Sequence, residues 1–113
     1  MDKKIIYLSV SLAIALFGLG GFYYLRPVVA DNYANKAVDI FLNERSEQYE
    51  QALDYLEKAK QWGRDDTNLG ILKGQLLAAL GRYAEAQAQY ELVKSRDPSS
   101  IQAVDELLED LPT

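Results

Sequence analysis

The hydrophobic pattern changes character once along this chain, near Pro27. From Ile5 to Leu25 it is continuously apolar, with no charge and only Ser9, Ser11 and the tyrosines at 7, 23 and 24 adding polar atoms. Those 21 residues, in helical form, span about 31 Å, close to the hydrocarbon core of a bilayer. Residues 1–26 are therefore expected to form a single transmembrane helix, joined through a short linker, 27–32, to an amphipathic remainder. There, Tyr33, Ala37, Ile40, Phe41 and Glu44 recur at helical spacing, and Arg45-Ser46-Glu47 reads as a tight polar turn. Tyr49, Ala52, Leu56 and Ala59 mark a second helix, which Gly63 can end by taking the left-handed conformation. Asp65-Asp66-Thr67 offers capping groups for a third helix, whose apolar face is Leu69, Leu72, Leu76 and Leu80. After a turn at Gly81-Arg82, Tyr83, Ala86, Tyr90 and Val93 build a fourth, stopped at Asp97-Pro98 because proline cannot continue a helix. Ser99 or Ser100 is placed to cap a last helix over 101–110, with Ile101, Val104, Leu107 and Leu108 inward and an acidic outer face. The fold class is all-α.

The second half of the pattern repeats the first. Tyr49, Ala52, Leu56, Ala59 and Lys60 match Tyr83, Ala86, Tyr90, Val93 and Lys94, each 34 residues later. Gly74, the turn Gly81-Arg82-Tyr83-Ala84-Glu85-Ala86, Tyr90 and Pro98 resemble the tetratricopeptide repeat family, whose helix-turn-helix unit has this period. The first unit departs from the family pattern. Ile40 stands where the family prefers a small residue, Glu47 where it often has glycine, and Arg64 where it often has proline. The resemblance runs from Tyr33 to Leu111 within a domain of residues 33–113. It implies repeats over about 33–66 and 67–100 and a C-terminal capping helix over 101–110. Two repeats and a cap fall below the usual three, so the domain is expected to lean on a partner or on the membrane-proximal helix.

The resemblance also implies a concave groove lined by the first helix of each unit. Here that would present Ala34, Ala37, Phe41 and Glu44, then Asn68, Ile71, Gln75 and Ala78. Family members that grip an acidic C-terminal peptide clamp its carboxylate with Lys, Arg and Asn. This chain has Ala37, Phe41 and Ile71 at clamp positions. A mostly apolar groove suits an amphipathic helix or an apolar segment of a protein partner. The competing reading is that Phe41 and Ile71 pack against the cap or each other.

Two readings of the N-terminus compete as well. In the first, Lys3 and Lys4 hold the N-terminus cytoplasmic, Arg26 closes the far end and the tyrosines sit at the interfaces. Ser11, Ala15 and Gly18 then form a small-residue stripe against which another membrane helix could pack, as do Ser9 and Ala13. In the second, Val28-Val29-Ala30 is a small-x-small cleavage site ahead of Asp31. Against it, the apolar run exceeds the usual ~7–15 residues of a signal core. Arg26 and Pro27 also sit awkwardly before that site. Both readings place the C-terminal domain on the periplasmic, lumenal or extracellular side.

Composition narrows the function classes. The net charge of −5 divides into +2 for residues 1–30 (Asp2 against Lys3, Lys4 and Arg26) and −7 for the rest (16 acidic, 9 basic). Such a domain repels nucleic acid and anionic surfaces. With no cysteine and no histidine, Cys or His metal sites and Ser-His or Cys-His nucleophiles are excluded. Glu44, Glu47, Glu50, Asp54 and Glu57 look like a cation site, but their spacing and the neighbouring Arg45, Lys58 and Lys60 fit a solvated helix face. Trp62 is either a partner anchor or a cover for the core edge. No catalytic residue, cofactor, metal or small-molecule substrate is expected. The leading expectation is a membrane-anchored interaction scaffold, an accessory or assembly subunit of a membrane complex. The alternative is a cleaved, exported binding protein with a chaperone-like role.

Overall fold

Ala30, Ala34, Ala37 and Ile40 recur at steps of three and four, and this stripe of small side chains decides how the chain folds back on itself. In the computed structural model, which describes the backbone of residues 3–112 and the side chains of residues 16 and 18–112, all four are buried. They lie on α1 (Lys3–Leu42), and Ala52, Leu56 and Ala59 of α2 (Tyr49–Gln61) complete the same core. Alanine on both sides lets the two backbones approach closely. A second antiparallel pair, α3 (Thr67–Ala79) and α4 (Tyr83–Arg96), stacks on the first, and α5 (Ile101–Glu109) closes the array. Five α-helices are thus seen among the described residues, with single 3₁₀ turns at Ser46–Gln48 and Pro98–Ser100.

The expected linker over 27–32 is helix. α1 runs 40 residues without interruption and carries Pro27 inside it. Proline there removes one backbone hydrogen bond and crowds the preceding turn. Contacts on either side with the turn that follows α2 hold the helix together across it. The Arg26 Nε donates to the Trp62 carbonyl at 3.1 Å, and Arg64 reaches Asp31 at 3.1 Å. The first helix of the first repeat is therefore the distal half of a longer one.

Helix ends follow local chemistry. Asp66 accepts from the Leu69 N–H at 3.0 Å and caps α3, while Gly63 and Gly81 take positive φ values of 103° and 77° in the turns. Glu44 also has positive φ, 52°, in the turn after α1, so it leaves the helix that the spacing assigned to it. Neither Ser99 nor Ser100 caps α5 with its side chain. Asp97 takes that role one turn earlier. It accepts from the Ser99 N–H at 3.1 Å and from the Thr67 hydroxyl at 2.7 Å, tying the start of α3 to the start of the final turn.

Among the described residues no helix is long and apolar enough to cross a membrane. Most of the segment expected to do so, 5–15 and 17, lies outside the described side chains, as do Ser11 and Ala15 of the expected packing stripe. Gly18, the third member, has open space around it.

Candidate binding groove

Phe41 ends α1 on the side facing α3, and its half-buried ring lies 6.3 Å from that of Tyr49. Beside it α3 presents Gln75 and Ala78, and α4 contributes Tyr83 at its start and the buried Tyr90. Leu107, Leu111 and Pro112 from α5 and the residues after it form the opposite wall. Together they line an open groove of about 370 Å³, large enough for a few side chains of a partner. Asp110 is the one charged residue in its lining. Burial, and secondarily the charge of Asp110, push the Tyr90 phenol above its ordinary pKa, so it stays neutral.

Of the residues that the resemblance places in the groove, Phe41 and Gln75 are brought together, with Ala78. Ala37 and Ala34 are fully buried against α2 and offer no surface. Ile71 is half-buried and packs on the second core cluster, with Leu77, Ala86 and Val93. Asn68 is exposed near the start of α3 and Glu44 in the turn after α1, both outside the cavity lining. The wall from α5 is what spacing did not supply. Its signal was Leu107, on the inner side of a helix whose outer face is acidic, and Leu111 four residues on, just past the helix end.

The helices of the second pair touch through glycine. A Cβ at Gly74 would overlap the Tyr90 ring, and one at Gly70 would lie 2.8 Å from a Val93 methyl carbon. Gln89 reaches across to the Gly70 carbonyl at 3.1 Å. The tetratricopeptide repeat model matches residues 45–111, more than half of the chain. The chain belongs to the tetratricopeptide repeat family. Nothing similar is found among curated proteins or among solved structures. Tetratricopeptide repeats generally mediate protein–protein interaction.

The remaining candidates find plain places in the tetratricopeptide domain. Trp62 is half-buried at the end of α2, its ring 5.9 Å from Phe22, and covers the junction with α1. The acidic residues of α2 are solvated or paired, Asp54 with Lys58 at 3.2 Å and Glu50 with Arg82 at 3.4 Å. Lys94 reaches Asp105 at 2.6 Å and fastens α4 to the capping helix.

Proposed function

We propose that this protein is a membrane-anchored, non-catalytic interaction scaffold, an accessory or assembly subunit of a larger membrane complex that holds an amphipathic helix of its partner. The observation that carries the reading is the continuity of α1. One helix bears an apolar segment at one end and the first helix of the repeat array at the other. Leu16, Leu19, Phe22, Tyr23, Tyr24, Leu25 and Val28 are 50% to 79% exposed and distributed all around the helix. A helix apolar on every side calls for a membrane or a protein to cover it. The mostly apolar groove with Asp110 in its lining favours a partner segment with an apolar face and a basic flank. Lys3 and Lys4 favour a cytoplasmic N-terminus, which puts the repeat domain on the periplasmic, lumenal or extracellular side.

Burial weighs against removal of the N-terminus. Cleavage after Ala30 would cut α1 at a residue 2% exposed and discard both Arg26 and Phe22, which hold the end of α2. The test is native mass spectrometry of the protein extracted in mild detergent. A full-length chain in a defined complex, lost in Leu107→Asp with membrane insertion intact, is the expected result. A chain beginning at Asp31, or a full-length chain found only as a free monomer, defeats the reading.

A further inference from the structure

A second cavity, of about 450 Å³, opens where the apolar part of α1 meets the repeat domain, with Tyr23, Arg26, Asp31, Trp62, Gly63 and Arg64 in its wall. Its charges are unequal. Arg64 is engaged by both Asp31 and Asp66, at 3.1 and 3.0 Å, so its charge is spent within that cluster. Arg45, Arg82 and Arg96 also have carboxylate partners. Among the described residues Arg26 has none, and its one bond is from Nε to the Trp62 carbonyl. Its guanidinium lies over Gly63, where a Cβ would come within 3.2 Å of Nε. The remaining donors of a part-buried guanidinium, five in all for arginine, are arranged for a planar or tetrahedral oxyanion.

We propose that this cavity binds the phosphate of a glycerophospholipid, with Arg26 as its principal donor and Tyr23 and Trp62 against the glycerol region. The inference rests on the membrane reading above. Free phosphate has the same chemistry but a poorer claim. The net charge of −7 on residues 31 onward opposes both anions, and only the lipid has an offsetting gain. A headgroup held beside α1 by its own acyl chains is present at high effective concentration. Tyrosine and tryptophan are also the side chains favoured at headgroup depth.

Trp62 is the only tryptophan, so its emission reports on this cavity directly. The full chain in uncharged maltoside micelles would be titrated with a short-chain phosphatidylglycerol, a diacylglycerol of the same chains, and inorganic phosphate. The expected result is a saturable change in Trp62 emission with phosphatidylglycerol, none with diacylglycerol, and a much weaker one with inorganic phosphate. Arg26→Gln, which can still donate to the Trp62 carbonyl, should raise half-saturation roughly tenfold or more, as loss of a charge-assisted contact does. Arg26→Lys should fall between, which guards against a mere folding defect. An equal response to diacylglycerol, or an unchanged one in Arg26→Gln, overturns the site. Inorganic phosphate binding as tightly as the lipid overturns the assignment of source. Flotation with phospholipid vesicles separates the two readings. A chain that floats but gives no emission change leaves the anchor standing without the site, whereas one that does not float defeats the anchor and the lipid together.

Discussion

The two repeats share a 34-residue period but solve the same packing problem with different allocations of volume. In the second, Gly74 on α3 gives up its side chain entirely and Tyr90 on α4 fills the space. In the first, the positions 34 residues earlier are Ile40 and Leu56, both buried in one cluster. Gly70 and Val93 correspond in the same way to Lys36, which is exposed, and to the buried Ala59. The summed volume is not the same, since isoleucine with leucine is bulkier than glycine with tyrosine, so close packing is reached with the two helices of the first repeat accommodating more side chain between them. Ile40 departs from the family pattern together with Leu56, its neighbour in the same buried cluster.

Exchanging the allocations breaks the comparison most severely. Ile40→Gly alone should destabilise by about 3–5 kcal/mol, from the cavity and the glycine in mid-helix together. Leu56→Tyr alone should cost ~1–3 kcal/mol through overpacking. If the pair behaves as one volume, the double variant is less destabilised than the sum by at least ~1 kcal/mol. Urea unfolding of the full chain followed by circular dichroism gives all three values, and strict additivity would refute the pairing. Next in size is Gly74→Ala. Helix propensity alone would stabilise by ~1 kcal/mol, but overlap with a buried Tyr90 ring should turn the result to a net loss of about 1–3 kcal/mol. Tyr90→Leu in that background should recover part of it. Gly70→Ala should lie nearest zero, because its Cβ meets one Val93 methyl and the gain in propensity offsets that contact.

These pairs also mark what was legible in the sequence. Gly74, Tyr90, Gly81 and the Asp66 cap are read one residue at a time, from volume, φ or hydrogen-bonding capacity, and each lies where the pattern puts it, whereas the cap expected from Ser99 or Ser100 falls to Asp97 instead. The linker over 27–32 was misread because Pro27 is a local signal. What holds the helix across it is tertiary: the Arg26–Trp62 bond and the burial of Ala30. The groove was half legible for a similar reason. Phe41 and Gln75 follow from the family resemblance, but the turn at Glu44 ends the helix that would have carried that residue into the groove, and the wall from α5 depends on how the cap docks. Ala37 shows the limit of carrying positions over from a family, since here that residue is consumed by contact with α2.

Capping sharpens the contrast between the repeats and sets the smallest of these effects. α3 has a true beginning, and Asp66 and Asp97 serve it. The residues 34 positions earlier are Asn32, inside the unbroken α1, and Gly63, in a turn. The acid-sensitive caps thus belong to the second repeat. Burial pushes the Asp66 carboxyl upward, but the Leu69 N–H and Arg64 outweigh it and hold the pKa below the ordinary carboxylate value. Asp97 is held low by Ser99 and Thr67. A depressed folded-state pKa means that the unfolded chain binds protons first. The stability these groups contribute is complete above about pH 4 and is lost as pH falls through the folded-state values. Urea midpoints should be level near neutrality and decline on acidification below about pH 4. Asp66→Asn keeps a competent cap and removes the titration. It should leave the neutral midpoint nearly unchanged while flattening the acid decline, whereas Asp66→Ala should lower the neutral midpoint by the equivalent of ~1 kcal/mol. An acid limb equally steep in Asp66→Asn and in the double variant Asp66→Asn/Asp97→Asn would place the acid-sensitive groups elsewhere and remove this distinction between the repeats.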